Sequence, residues 1–355
     1  GTGAMIWDNQ DPIWEQQVNR HSYGGAQPVL RVATLTPYLW AFESAGAPVE
    51  RLLARAGIAV ELLGHPAAAL PFEDVYRFGE LACRNLGTEH LGLQMSLARS
   101  LDDYGPYGQM LRRSLTVHEY LRRGVSLYNM LTTAQRVWLS EHGNELRFNV
   151  ATLGGYELGA YQSQCETLVV TLKKLREADP NWSPREISLA YRSREELPEV
   201  DLFAGSRILR GTGETYFTIP PVMLGRRFPV PATSRARMSE APLWRSLPET
   251  MGDLVLLQIE SLMSDRLFQI DTIAETLAMS SRSLQRRLAS EGVSYSQVLT
   301  DARMRQAADW LENSDKPVAE AAFELGYTDA SNFTRAFRRY FGVSPQVFRD
   351  NAKRL

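Results

Sequence analysis

Apolar side chains recur every three to four positions over residues 35–46, 49–57, 72–85, 117–133 and 162–178, the spacing that lines one face of a helix. Residues 145–151 ("ELRFNVA"), 186–192 ("EISLAYR") and 214–219 ("ETYFTI") instead alternate apolar and polar positions, the period of a half-buried strand. The first two thirds of the chain therefore predict an α/β or α+β domain. Six of the eighteen prolines fall between residues 220 and 248, where the missing backbone donor and the restricted preceding residue predict an extended connection. Past residue 251 every periodic segment is helical. The expected organisation is a tail over 1–28 opening on a tag-like Gly1-Thr2-Gly3-Ala4, a domain over 29–230, a proline-rich linker over 231–252 and an all-α domain over 253–355.

Within the all-α part a unit recurs. "TIAETLAMSSRSLQRRLASEGVS" (272–294) and "PVAEAAFELGYTDASNFTRAFRRYFGVS" (317–344) both start on an apolar-Ala-Glu triplet, Ile273-Ala274-Glu275 against Val318-Ala319-Glu320. Both continue through a turn rich in small and polar residues into a second helix, and both close on Gly-Val-Ser. Two short helices joined by a tight turn are the sequence form of a helix-turn-helix, here in tandem. In the second unit Phe333, Phe337, Tyr340 and Phe341 form one apolar stripe, leaving Asn332, Arg335, Arg338 and Arg339 toward solvent. In the first, Leu284 and Leu288 are buried, and Arg282, Gln285, Arg286 and Arg287 stay available. Arginine and asparagine on such a face can bond guanine and adenine edges in the major groove, with neighbouring cations on phosphates. Between the units, residues 294–313 predict one amphipathic helix burying Val298, Ala302, Met304, Ala308 and Trp310. At 1.5 Å per residue it spans about 28 Å, near the roughly 34 Å between successive major grooves on one face of DNA.

The tandem unit, above all "AFELGYTDASNFTRAFRRYFGVSPQVFR", resembles the DNA-binding domain of the AraC/XylS family of transcription regulators. The resemblance implies base contacts from Arg282, Ser283, Arg286, Ala330, Ser331, Asn332 and Arg335 and phosphate contacts from Gln285, Arg287, Thr334, Arg338 and Arg339. Ala330 departs in chemistry, since its methyl can touch a thymine methyl but donates no hydrogen bond. Residues 29–230, through "RLLARAGI" and "YGPYGQMLRRSLTVHEYLRRGVSLY", resemble the effector-sensing domain of the arabinose-binding-like branch. That implies a small-molecule effector, a homodimer formed through this domain, double-stranded promoter DNA as the target and RNA polymerase as partner of an activator.

Charge refines the DNA reading. The whole chain carries a formal net charge of −2, and residues 253–355 hold 13 Lys and Arg against 14 Asp and Glu, so attraction to DNA must come from where the arginines sit. Arg282, Arg286, Arg287, Arg335, Arg338 and Arg339 gather on the two expected reading helices. In the sensing domain Tyr104, Tyr107, Arg112, Trp138, Tyr156, Tyr161 and Gln164 combine aromatic walls with polar tips and are candidate pocket residues. Five dispersed histidines and two cysteines outside any CxxC spacing predict no metal site, no cofactor and two buried thiols. No catalytic order is legible, so a regulator is expected rather than an enzyme. An enzyme-like domain fused to a DNA-binding module and an effector-independent dimeric DNA binder are the alternatives. No apolar run of about 18 residues and no signal-peptide pattern occurs, which predicts a cytoplasmic protein.

Overall fold

The computed structural model describes residues 26–44, 46–154, 157–229 and 244–352, so most of the expected tail, residues 230–243 of the connection and Tyr156 lie outside the described residues. The chain divides into two compact units, one within Pro28–Leu247 and the other within Pro248–Leu355 together with Ala26 and Gln27.

The first unit is mixed α and β. Its helices are α1 (Thr36–Ser44), α2 (Val49–Ala56), α3 (Phe72–Leu86), α4 (Leu91–Ala98), α5 (Gly105–Arg112), α6 (Val117–Leu127), α7 (Glu157–Ala178) and the short α8 (Pro221–Leu224). Two strands, β1 (Val29–Arg31) and β2 (Ala69–Pro71), form an antiparallel pair. The remaining five, β3 (Gln135–His142), β4 (Glu145–Thr152), β5 (Glu186–Leu189), β6 (Arg207–Arg210) and β7 (Thr215–Ile219), make a sheet ordered β3-β4-β7-β5-β6, antiparallel except for β5 beside β6. Val137 and Leu139 of β3 face Val150 and Phe148 of β4, and against them lie Leu168, Val169, Leu172 and Leu175 of α7. Central β7 is buried at all five positions, as a strand covered on both faces must be.

Several expectations shift. The helix expected over 117–133 ends at Leu127, because Thr132 and Thr133 turn away to bond Val29 of β1. The strand expected over 186–192 stops at Leu189, and Tyr191 leaves it to stack on Tyr161 at 5.0 Å. Strand β3 lay unrecognised in "QRVWLSEH", whose Arg136, Trp138 and Ser140 occupy the less buried face. Part of the expected connection also belongs to this unit: buried Arg31 donates to the Arg245 carbonyl at 2.7 Å and stacks over Trp244, and the Leu247 N–H bonds the Asn129 carbonyl. A buried guanidinium must find acceptors, and residues 244–247 supply one. Cys83 and Cys165 are buried, and burial pushes both thiols up to about 12.

The second unit is helical throughout its described residues: α9 (Met251–Leu262), α10 (Ile270–Thr276), α11 (Ser281–Ser290), α12 (Tyr295–Asn313), α13 (Val318–Glu324), α14 (Ala330–Phe341) and α15 (Pro345–Ala352). Leu254, Val255, Ile259 and Leu262 of α9 form its core with the buried residues of α12.

Candidate nucleic-acid interface and ligand cavity

The second helix of each helix-turn-helix unit starts from a side-chain cap. Ser280 accepts the Ser283 N–H at 3.2 Å to open α11, and Asp329 accepts the Asn332 N–H at 2.7 Å to open α14. The preceding turns are built alike. Ala278 N–H bonds the Glu275 carbonyl and Met279 N–H the Ala274 carbonyl; Gly326 N–H bonds the Phe323 carbonyl and Tyr327 N–H the Ala322 carbonyl. Both turn residues are left-handed, Ala278 at φ 52 and Gly326 at φ 78. These bonds set Ala274 against Ala322, so the Ala-Glu triplets that revealed the repeat are out of register by three residues and the turns are the true equivalents.

The two helices bury opposite sides from those they offer. Leu284 and Leu288 are fully buried under α11, whereas Arg282, Gln285, Arg286 and Arg287 are exposed and Ser283 is half-buried. Under α14, Phe333 and Phe337 are fully buried, with Tyr327, Phe341 and Phe348 packed around them at centroid distances of 4.6 to 5.7 Å. Tyr340 departs from the expected stripe. It is 44% exposed, and its ring lies by α12, where partial burial and the Asp301 carboxylate raise its phenol above the usual range. On the outer side Ser331, Arg335, Arg338 and Arg339 are exposed and Ala330, Asn332 and Thr334 half-buried. Asn332 donates to the Asp329 carboxylate and accepts from Arg335, so the cap also orients the two side chains beyond it.

Helix α12 covers 19 residues as expected, but it buries Val298, Ala302, Met304, Ala307 and Leu311, leaving Ala308 and Trp310 half-buried. At 100° per residue, Val298 and Ala307 lie roughly half a turn apart. The helix thus buries different faces at its two ends, and the Lys316 ammonium sits 3.9 Å over the Trp310 ring. At its middle the Arg303 guanidinium lies 5.2 Å from the ring of Phe268, ahead of α10, and 5.2 Å from that of Tyr327, in the second turn. The Tyr295 hydroxyl donates to the Phe268 carbonyl at 2.8 Å. Nothing in the pattern of apolar positions signalled this clasp.

In the first unit a small cavity of about 40 Å³ opens among α5, α6, α7 and the sheet, lined by Tyr104, Tyr107, Tyr120, Tyr128, Leu111, Phe148 and neighbouring aliphatic residues. Of the seven candidate pocket residues it takes in Tyr104 and Tyr107. The other four among the described residues lie elsewhere. Arg112 is exposed and paired with Asp102, and Trp138 is on the opposite side of β3 from Val137, which does line the cavity. Tyr161 bonds His90 at 2.9 Å, and Gln164 is held between Thr152 and Thr215. Tyr120 and Tyr128 are additional wall residues, spaced two helical turns apart in a segment read only as helix.

Behind the Tyr104 wall is a buried network. The Glu166 carboxylate accepts from the hydroxyls of Tyr38 and Tyr104 and from Arg99, whose guanidinium stacks on both rings at 5.3 and 4.6 Å. Burial pushes both phenols well above the usual range, with Glu166 adding to it. Burial opposes the Arg99 charge, and only Glu166 together with Tyr104, Tyr38 and Asp103 outweighs it, holding Arg99 protonated. Among the described residues no cluster of His, Cys, Asp or Glu could hold a metal ion, and no helix is long and apolar enough to cross a membrane.

A tandem pair of capped helix-turn-helix units in one chain with a mixed α/β unit defines a class of DNA-binding regulator. The family model for the arabinose-binding domain of AraC transcription regulators matches residues 46–228, and a helix-turn-helix domain model matches residues 273–351. The chain belongs to the AraC family of transcription regulators; it is a DNA-binding regulator and not an enzyme. Its relatives include the Ornithine utilization regulator of Pseudomonas aeruginosa, 43% identical over 81 residues, a stretch covering 23% of this chain and only 24% of that protein. The HTH-type transcriptional activator FapR of Escherichia coli is 26% identical over 212 residues, 57% of this chain and 79% of that one. Among solved structures the transcriptional regulator CdpR of Pseudomonas aeruginosa is similar at 21% identity, over 73% of this chain and 86% of that one, with a TM-score of 0.35.

Proposed function

We propose that this chain is a cytoplasmic, small-molecule-responsive transcription activator that reads promoter DNA with α11 and α14 and dimerises through residues 29–230, with 231–252 as linker and 253–355 as the DNA-binding domain. The observation that carries the reading is that both helices bury Leu or Phe beneath while presenting capped, arginine-bearing outer faces. Arg282, Ser283 and Arg286 of α11 and Ala330, Ser331, Asn332 and Arg335 of α14 are assigned to base edges. Gln285, Arg287, Thr334, Arg338 and Arg339 are assigned to phosphates. A 19-residue strut about 28 Å long suits two successive major grooves. Effector binding in the cavity favours one arrangement of a homodimer, and contact with RNA polymerase follows from activation. Tyr104 and Tyr107 are the candidate pocket residues that this reading retains.

The test is selection of operator DNA by the full chain from a random pool, followed by footprinting on one- and two-site operators with and without cell metabolites. Protection of two major-groove segments per protomer, altered by a metabolite, is the expected result. Protection of one segment, or indifference to every metabolite fraction, would refute the corresponding half of the proposal.

A further inference from the structure

The chemistry of the cavity wall narrows what it can hold. Its lining residues are Leu, Val, Phe, Tyr, Thr and Gly, and none carries a charge. The tyrosine hydroxyls already have partners: Tyr104 donates to Glu166 at 2.6 Å, Tyr107 to the Gly124 carbonyl at 3.3 Å, Tyr128 shares a hydrogen bond with Thr167 at 2.9 Å, and Tyr120 bonds Thr171. A ligand donor can still use a phenol lone pair, but a ligand acceptor would have to break one of these bonds. A sugar brings several hydroxyls, and each one buried without a partner costs about 1–3 kcal/mol.

Charge is excluded by a separate argument. The cation behind the wall, Arg99, is matched one to one by Glu166. Arg99 keeps Nε and Nη2 without partners, yet its guanidinium stacks on the Tyr104 ring and is not part of the wall. A carboxylate entering the cavity would therefore leave one buried negative charge uncompensated.

We infer that the cavity takes an uncharged, largely apolar small molecule, a single aromatic ring or short alkyl group with at most one or two hydrogen-bond donors, in spite of the sugar for which the matching domain family is named. The inference rests on the effector reading above and specifies its ligand class. Gly124 marks the entry for a test, since a side chain there would point toward the Tyr107 hydroxyl, 3.7 Å from an added Cβ. Indole, benzoate, hexanol, hexanoate and L-arabinose would be titrated into the full chain, with calorimetry and thermal melting as readouts.

Indole and hexanol should bind saturably and at least ten-fold more tightly than benzoate and hexanoate, while arabinose gives no shift. Gly124→Leu should abolish indole binding, and the milder Gly124→Ala should weaken it, which keeps the test valid should the larger substitution unfold the domain. Benzoate or arabinose binding as tightly as indole, and lost in the Gly124 variants, would overturn the ligand class and leave the effector reading standing. Indole binding unchanged in both variants, or no binding by any neutral probe, would overturn the assignment of the cavity. The effector reading is judged separately: it fails if a bound probe and every metabolite fraction leave the operator affinity of the full chain unchanged.

Discussion

Ala278→Gly and Gly326→Ala exchange the residues at one left-handed position in two equivalent turns, and the local geometry predicts effects of opposite sign and unequal size. A side chain at positive φ costs about 1–2 kcal/mol, because Cβ crowds the following carbonyl. Glycine gives back about 0.4–1 kcal/mol by loosening the unfolded chain. Ala278→Gly should therefore stabilise the second unit by about 0.5–1 kcal/mol. Gly326→Ala incurs the same strain in reverse and also a collision. The new Cβ would lie 2.9 Å from Arg303 Nη2 and 3.0 Å from Phe268 Cζ. The guanidinium end can swing aside, but the Phe268 ring is buried and its own carbonyl is held by Tyr295. Overpacking of this kind adds at least about 1 kcal/mol, for a total near 2 kcal/mol. Native-state hydrogen exchange of the full chain, followed at Ile259, Leu288 and Phe337, reads both changes: slower exchange for Ala278→Gly, and exchange faster by about thirty-fold for Gly326→Ala. Equal and opposite changes would show that contact with Phe268 contributes nothing. A destabilising Ala278→Gly would refute the strain argument altogether.

Arg286→Ala should cost about 1–3 kcal/mol on a selected operator and relax preference at one base pair, whereas Arg339→Ala should weaken binding to all DNA and flatten the salt dependence; mobility shifts across sequences and salt concentrations separate the two roles. Phe337→Ala should destabilise the second unit by about 3–5 kcal/mol and abolish specific binding, as checked by circular dichroism melts and the same shifts. Asp74 is nearly buried at the start of α3, and burial, only partly opposed by Arg77, pushes its carboxyl up to about 6. Since that lies above the unfolded value near 3.9, the group favours folding most below about pH 4, and that contribution is lost as pH rises through 6. Asp74→Asn should therefore flatten the stability profile between pH 4 and 7 and raise the melting temperature at pH 7; an unchanged profile would refute the burial argument.

The second helix-turn-helix was legible because local signals there agree: Asp329 as cap, Phe333 and Phe337 one turn apart, and a closing Gly342. Tyr340 misled because it lies in phase with the stripe, and helical phase does not show which neighbouring helix a side chain will meet. Helix α12 was legible in length and not in facing, since it packs at its two ends on different neighbours and no single stripe describes it. In the first unit the pocket was only half visible. Tyr104 and Tyr107 sit in a segment whose aromatics stand out, but Tyr120 and Tyr128 join them only once α6 has been laid beside α5, a tertiary fact. Trp138 was mistaken for a wall residue because β3 went unrecognised; period-two alternation with Val137 and Leu139 would have turned it outward.

Arg303 lies 5.2 Å from the rings of both Phe268 and Tyr327, and the side chain springs from the middle of the helix that separates the two helix-turn-helix units. The separation between those elements is in that sense machined into the protein, as in a fixed-gap gauge, and not left to a hinge. For a regulator of this build, drift in an operator has two unequal consequences. With the base contacts proposed above, a changed base can be followed by changing one outward side chain on α11 or α14, with the core beneath undisturbed. Under the two-groove reading proposed above, an inserted or deleted base pair between the grooves has no such single-residue remedy, because it would require Phe268, Arg303 and Tyr327 to find a new common geometry at once.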